Sequence, residues 1–277
     1  MNIGLVGPAK SGKTTIFNAL TGQAAETADY GTGKVEPNLG GVTVLDDRVD
    51  RLSAMYNPKK TIHAAIEFID FVGAAQGAAK GGLFSGEGMA MIKNADALVA
   101  VLRNFSSDTL EAQFGPPDPV RDLSTIDTEL LLADLIVAEK RIERIAADHQ
   151  RGKKTPASQA EEKVMARIAE ALNAGTPVRA LEFSAEEQKL LQGYRFLTAK
   201  PVLVILNSGE ENYGKNAALT EELSKKHAVI EFAGKFEMEL AGLDEADRAG
   251  FMADMGIAES ARARLSKFAY EMLGYIS

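Results

Sequence analysis

Cysteine and tryptophan are both missing from this 277-residue chain, and histidine occurs only three times. Without a thiol there is no disulfide framework and no thiolate metal site, a composition that fits a reducing compartment. His63, His149 and His227 lie far apart and lack ligand spacing, so a zinc site is not expected. Long apolar runs are absent as well. None approaches the ~20 residues that cross a bilayer, and Met1–Val6 is too short, and has no basic flank, to act as a secretory signal. Nor is there an excess of positive charge. The formal net charge of −8 weighs against broad nucleic-acid binding, and no DNA partner is expected. These absences predict a cytoplasmic protein that does not enter a membrane.

What remains is the composition of a folded domain, with 45% apolar and 25% charged residues. The length allows one large domain with an insertion, or two domains. Ile3–Val6 is a short apolar run that stops at Gly7, and helical periodicity follows from Thr14 to Leu20. This predicts a buried strand, a glycine loop and a helix. Further strands are predicted at Val42–Leu45, Ile62–Ile69, Ala97–Leu102, Val202–Leu206 and Val229–Phe232, rich in the β-branched residues of buried parallel strands. Strands alternating with helices indicate an α/β fold with a doubly wound, mostly parallel sheet. The segment 73–88 is dense in glycine without periodicity and predicts a mobile loop.

About a hundred residues between the strands at 97–102 and 202–206 carry almost no strand signal. Leu131, Leu135, Ala138, Ile142 and Ile145 repeat at helical spacing, as do Ala160, Val164, Ile168 and Ala171 after a Ser158-x-x-Glu161 capping box. The joining segment Gln150–Pro156 is basic and turn-rich. An inserted α-helical hairpin with a basic tip is predicted over 125–197, interrupting a sheet domain made of 1–124 and 198–277. Arg151, Lys153 and Lys154 at the tip suit either RNA phosphates or plain solvent. Ser184-x-x-Glu187 marks one more helix, ending before Pro201.

Chemistry concentrates at the N-terminus. Gly7-Pro8-Ala9-Lys10-Ser11-Gly12-Lys13-Thr14 fits G-x-x-x-x-G-K-[ST] in full, with strand and helix correctly placed on either side. The glycines let backbone N–H groups turn toward phosphates, and the helix that follows presents its positive end. Lys13 is suited to the β- and γ-phosphates, and Thr14 to Mg²⁺. Asp70-Phe-Val-Gly73 ends a strand, where an acid anchors Mg²⁺ through water and Gly73 can sense the γ-phosphate. The predicted catalytic set is therefore Lys13, Thr14, Asp70 and Gly73, with Mg²⁺ as cofactor held by Thr14 and Asp70. After the strand Val202–Leu206, Asn207-Ser208-Gly209-Glu210 stands where GTPases carry N-K-x-D. The aspartate that accepts two guanine hydrogen bonds is missing, which favours ATP over GTP. Thr15, in the first turn of the helix, and Gly234 and Lys235, just beyond the last strand, complete the expected nucleotide-binding set.

Taken in order, Glu36-Pro-Asn38, Asp70-x-x-Gly73, Gly77-Ala-Ala-Lys80-Gly81, Leu181–Glu187, Phe196–Pro201, Asn207-x-x-Glu210 and Phe251-Met-x-x-Met-Gly256 resemble the signatures of the Obg-like ATPase (YchF) family, from Met1 to Ser277. The resemblance implies a Ras-like sheet domain, a helical hairpin insertion, an ATP preference carried by N-x-x-E, and the ribosome or its RNA as a partner. Three departures stand out. The sequence stops at Gly274-Tyr-Ile-Ser277, where family members continue into a C-terminal TGS domain, so that domain is expected to be absent or the sequence to be a fragment. Lys34 aligns with the switch-one threonine, with Thr32 close by. Lys10 replaces a loop asparagine that, in related potassium-dependent enzymes, helps hold a monovalent cation. The Lys10 ammonium either takes the place of that cation or is simply solvated. Ala74 follows Gly73 where Ras-like enzymes carry a water-orienting glutamine, so slow intrinsic hydrolysis is expected. Three readings stay open: an ATP-hydrolysing switch, a GTPase of the same fold, and a nucleotide-dependent scaffold that scarcely hydrolyses.

Overall fold

The computed structural model describes residues 1–25, 37–44, 47–71 and 92–273. Six strands form one sheet: β1 (Asn2–Val6), β2 (Asn38–Thr43), β3 (Ala65–Asp70), β4 (Ala97–Asn104), β5 (Val202–Ser208) and β6 (Ala228–Phe232). Their order is β2-β3-β1-β4-β5-β6. Every neighbouring pair is parallel except β2–β3. The described helices are α1 (Lys13–Thr21), α2 (Asp47–Tyr56), α3 (Asp108–Phe114), α4 (Pro119–Gln150), α5 (Pro156–Asn173), α6 (Ala185–Leu191), α7 (Ala217–Ser224), α8 (Gly234–Leu240), α9 (Glu245–Asp254) and α10 (Ala261–Leu273).

β4 and β5 are buried along their whole length, as parallel strands covered on both faces must be. Alternate residues feed two cores. Ile3, Leu5, Val99 and Val101 pack with Ile16, Phe17 and Leu20 of α1 on one face. Val6, Leu98, Ala100 and Leu102 pack with Leu123, Ile126 and Leu130 of α4 on the other. Two predicted strands shift. Ile62 is exposed, and β3 starts only at Ala65, where Thr43 becomes available as a partner. β2 begins at Asn38, ahead of the apolar run, because its glycines hide it. A Cβ on Gly40 would stand 2.4 Å from Thr21 Cγ2 and 2.9 Å from Phe17 Cζ, so only glycine lets this edge strand lie against α1.

The 32-residue helix α4 opens on Asp118, whose side chain accepts the Arg121 N–H, with Pro119 in the first turn. Its first half belongs to the sheet core. Its second half, from Ala138, joins Val164, Met165, Ile168 and Leu172 of α5 in a separate hairpin core. The N-cap of α5 corrects the sequence reading. Thr155 and Ser158 form the capping box, with Pro156 as the first helical residue. A proline there has no N–H left to satisfy, so the helix starts three residues earlier than Ser158-x-x-Glu161 implied. Glu161 instead faces Arg141 across the hairpin, with Oε2 to Nη2 at 2.6 Å. The Ser184–Glu187 box caps α6 as read. Between the two cores, buried Asp134 of α4 accepts Leu197 N at 2.8 Å, Thr198 N at 2.7 Å and the Thr198 hydroxyl at 2.7 Å. It pins the chain returning from the hairpin just before β5. Among the described residues no helix is long and apolar enough to cross a membrane.

Candidate functional site

The phosphate loop runs from the end of β1 to the start of α1, and its shape explains its residues. Gly7 has φ +150° and Gly12 φ +95°. A Cβ on Gly7 would lie 2.4 Å from the Val101 carbonyl oxygen, and one on Gly12 would lie 2.1 Å from Asn207 Nδ2. Neither position admits a side chain. Lys10, exposed at the crown, holds φ +60° without being glycine. Lys13 Nζ donates to the carbonyls of Gly7 at 3.0 Å and Pro8 at 2.8 Å. Burial of this ammonium pushes its pKa down to about 8, against the pull of the nearby Asp70 carboxylate.

Asp70 ends β3 fully buried. Its Oδ2 accepts the Thr14 hydroxyl at 2.7 Å and Asn38 Nδ2 at 3.3 Å. Asn38 lies directly opposite Asp70 in the antiparallel β2–β3 register. Asp70 Oδ1 is buried with no hydrogen-bond partner among the described residues. A bare carboxylate oxygen beside a threonine hydroxyl is a hard-oxygen donor set that fits Mg²⁺. No group of three or more acids or histidines able to hold a metal occurs among the described residues. The fit is therefore to an ion shared with a phosphate, not to an all-protein cage.

The far side of the loop is held by Asn207 at the C-terminal end of β5. Its Nδ2 donates to Ser11 O at 3.0 Å, and its Oδ1 accepts Gly234 N at 3.1 Å. One buried amide thus ties the phosphate loop to the start of α8. Gly234 must be small, because a Cβ there would stand 2.4 Å from Asn207 Oδ1 and 2.8 Å from Ile16 Cδ1. The Ser208 hydroxyl donates to Glu231 Oε1 at 2.5 Å and accepts Asn104 Nδ2 at 2.9 Å. Asn216 Nδ2 donates to the same Glu231 oxygen at 2.5 Å, and Gly214 N donates to Oε2 at 3.2 Å. Glu210 is exposed in the turn after β5, and Lys235 is exposed on the first turn of α8.

The fold therefore assembles Gly7 to Thr15, Asp70, Asn207 and Gly234 at the C-terminal end of the sheet. Ser208 faces into a side-chain network beside them. Gly73, Ala74, Lys34 and Thr32 lie outside the described residues. Sequence reasoning did not single out Asn38 as a site residue, although it stands in Glu36-Pro-Asn38; only the strand register sets it on Asp70. It also missed Glu231, whose three donors, Ser208, Gly214 and Asn216, come from an earlier segment of the chain that no local spacing connects to it.

A family described as 50S ribosome-binding GTPase matches residues 2–140. The ribosome-binding ATPase YchF of Bacillus subtilis is 36% identical over 284 residues, covering 99% of this chain and 76% of the relative. That of Pasteurella multocida is 33% identical over 274 residues, covering 98% of this chain and 75% of its own. The structure of the Schizosaccharomyces pombe YchF GTPase aligns with a TM-score of 0.78 at 26% identity, over 99% of this chain and 75% of that one.

Proposed function

The chain belongs to the YchF family of P-loop nucleoside triphosphatases, and from that premise we propose that it is a cytoplasmic, ribosome-associating switch that binds and slowly hydrolyses ATP with Mg²⁺. The observation that carries this is the Lys13–Asp70–Thr14 arrangement. A buried ammonium in a glycine-shaped loop stands beside a hydroxyl held 2.7 Å from a carboxylate with one bare oxygen. Lys13 would leave the Gly7 and Pro8 carbonyls for the β- and γ-phosphates, while loop N–H groups and the N-terminus of α1 receive the negative charge. Thr14 and, through water, Asp70 would hold Mg²⁺. That ion would supply positive charge to offset the charge developing on the leaving group.

Slow turnover follows from Ala74, whose methyl group cannot orient a water. The sensing role belongs to Gly73 and the glycine-rich segment after it. Residues 125–197 are assigned to the hairpin domain, and its exposed tip Arg151, Lys153 and Lys154 to ribosomal RNA phosphates. Preference for ATP rests on Asn207-x-x-Glu210, which lacks both the lysine and the aspartate of a guanine-reading loop. Lys10 is assigned the place of a monovalent cation, so turnover is expected to be insensitive to exchanging Na⁺ for K⁺, and Lys10→Asn to become K⁺-stimulated.

A GTPase reading has one specific support. The matching family and the S. pombe relative are both described as GTPases, whereas the bacterial relatives are described as ATPases. Calorimetric titration with ADP and GDP in Mg²⁺ separates the two, and tighter GDP binding would reverse the assignment. Single-turnover ATP hydrolysis with and without ribosomes then tests the switch. Rapid turnover by the isolated chain would exclude it, and no turnover under either condition would leave a nucleotide-dependent scaffold.

A further inference from the structure

The parallel strands place the phosphate loop at their C-terminal ends. At their N-terminal ends, about 25 Å away along the eight residues of β4, lies a second concave site. It is a cleft of about 630 Å³ between the residues leading into β4 and β5 and the chain returning from the hairpin. This is the junction of two packed units, where ligand pockets concentrate, and the volume falls within the range of small-molecule sites.

Its charge runs against that of the protein. The chain carries a net −8, yet the charged residues lining the cleft are Lys93, Arg179, Arg195 and Lys200 against Asp96 alone, four positive minus one negative, or +3. These cations are held by neutral oxygens. Lys200 Nζ donates to the Lys93 carbonyl at 3.0 Å and to that of Ala95. Arg179 donates to the Thr198 carbonyl at 3.3 Å, and Arg195 to the Asn94 side-chain oxygen. None of the four forms an ion pair among the described residues. Asp96 is already engaged by the Asn2 N–H at 2.8 Å. Asp134, behind the wall, is taken up by Leu197 and Thr198. Carboxylates act on two of these cations, Asp127 on Arg179 and Asp96 and Asp134 on Lys200, and the residues lining the cleft still carry a net positive charge. Burial accordingly pushes Lys200 below the ordinary lysine range, with Asp96 and Asp134 opposing the shift and Arg195 adding to it.

Two further features indicate a ligand with a body as well as a charge. Apolar side chains also line the cleft, Leu181, Phe183 and Leu191 with buried Phe196, and the Arg167 guanidinium lies 5.1 Å from the centroid of the Phe183 ring. Arg195 is held at φ +50°, a conformation unfavourable for a non-glycine residue and one that collects at binding sites. A wholly basic patch would suit a polyanion; a cleft lined by cations and hydrocarbon together suits a small amphipathic anion.

We propose that this cleft binds a small organic phosphate, with its anionic group on Arg179, Arg195 and Lys200 and its apolar body against Leu181 and Phe183. The site is independent of the phosphate loop and spans the joint between sheet and hairpin.

The test is a titration of the full chain with 1-naphthyl phosphate, followed by calorimetry, with the phosphate loop saturated by Mg-ADP. The expected result is one equivalent bound, unchanged in Lys13→Ala and weakened at least fivefold in Arg179→Ala. Arg195→Gly is the decisive variant, because glycine accepts the positive φ. It is expected to keep or raise the melting temperature while weakening binding at least fivefold. Neutral 1-naphthol is expected to bind at least tenfold more weakly than its phosphate. Four outcomes each overturn the proposal: no binding at millimolar probe, displacement of the probe by ADP, equal affinity for naphthol, or affinity unchanged in folded Arg195→Gly. Single-stranded RNA binding that depends on these arginines, without binding of the phosphate, overturns it in favour of a polyanion surface.

Discussion

The two ends of the proposed nucleotide site, a phosphate end and a base end, are built by different means. At the phosphate end the backbone makes the shape, and Gly7 and Gly12 are glycine because carbonyl and amide groups occupy the space of a side chain. At the base end the shape comes from side chains, with Ser208, Asn104, Asn216 and Glu231 exchanging hydrogen bonds across separate elements. A backbone-built site constrains residue types at fixed local spacing. A side-chain network constrains only which distant partners meet. Asn207 belongs to both ends, since its amide bonds the loop on one side and α8 on the other.

The largest expected effect sets one glycine from each end against the other. Gly12→Ala combines a φ of +95° with a Cβ 2.1 Å from the Asn207 amide, and nucleotide affinity should fall by at least about a hundredfold. Gly209→Ala also meets an atom, Glu211 Oε1 at 2.2 Å, but that is the end of an exposed, flexible side chain. Its affinity should stay within about threefold of wild type, because such a chain swings away cheaply. Titration with a fluorescent ATP analogue reads both. Equal effects would break the distinction between a backbone-built and a side-chain-built end.

Next comes the residue at the joint. Asn207→Ala leaves Ser11 O and Gly234 N without their partner, at about 1–3 kcal/mol for each buried group left unsatisfied. Affinity for ADP and ATP should fall about tenfold or more together, since the loss acts through the loop and not through the γ-phosphate. Asn207→Asp keeps the acceptor for Gly234 N but loses the donor to Ser11 O, and should fall between the two. A loss confined to ATP would show that Asn207 does not act by holding the loop.

A pH effect of similar size distinguishes the ends without mutation. The Lys13 pKa of about 8 lies below the 10.5 usual for lysine. A polyanion binds the protonated form, so complex formation should take up a proton above pH 8 and none well below it. Affinity should fall by up to about tenfold per unit above pH 8. Stability of the nucleotide-free chain moves the other way. The unfolded state binds the extra proton between pH 8 and 10.5, so this group's cost to folding is relieved across that window. Calorimetry in buffers of different ionisation enthalpy measures the uptake, and Lys13→Met should abolish it.

How much was legible follows the same division. The loop Gly7–Thr14, the strand that ends at Asp70 and the hairpin could be read because each depends on local spacing. The start of β2 could not, because Gly40 and Gly41 carry no strand signal, and Gly40 is required by packing against Phe17 and Thr21 on another element. The N-cap of α5 was misplaced because two plausible hydroxyls lie three residues apart, and Pro156 decides between them. Glu231 gave no signal at all. Its donors at Ser208, Gly214 and Asn216 are joined to it only by the β5–β6 pairing.

The smallest effect belongs to a phosphate-end residue that behaves like one from the base end. Asn38 reaches Asp70 through a side chain, at 3.3 Å, from an edge strand whose register alone brings it there. It shares Asp70 Oδ2 with the Thr14 hydroxyl and leaves Oδ1 bare, so it steers the carboxylate without occupying its free oxygen. Asn38→Ala should leave ADP affinity in EDTA unchanged and weaken the Mg²⁺ dependence of ADP binding about threefold, as expected for one neutral hydrogen bond worth about 0.5–1.5 kcal/mol. Asn38→Asp should do worse than alanine, because a second carboxylate facing Asp70 repels it. If alanine and aspartate are equivalent and both harmless, Asp70 is positioned by Thr14 alone. The phosphate end would then be set by the backbone, Lys13 and Thr14, with no contribution from the edge strand.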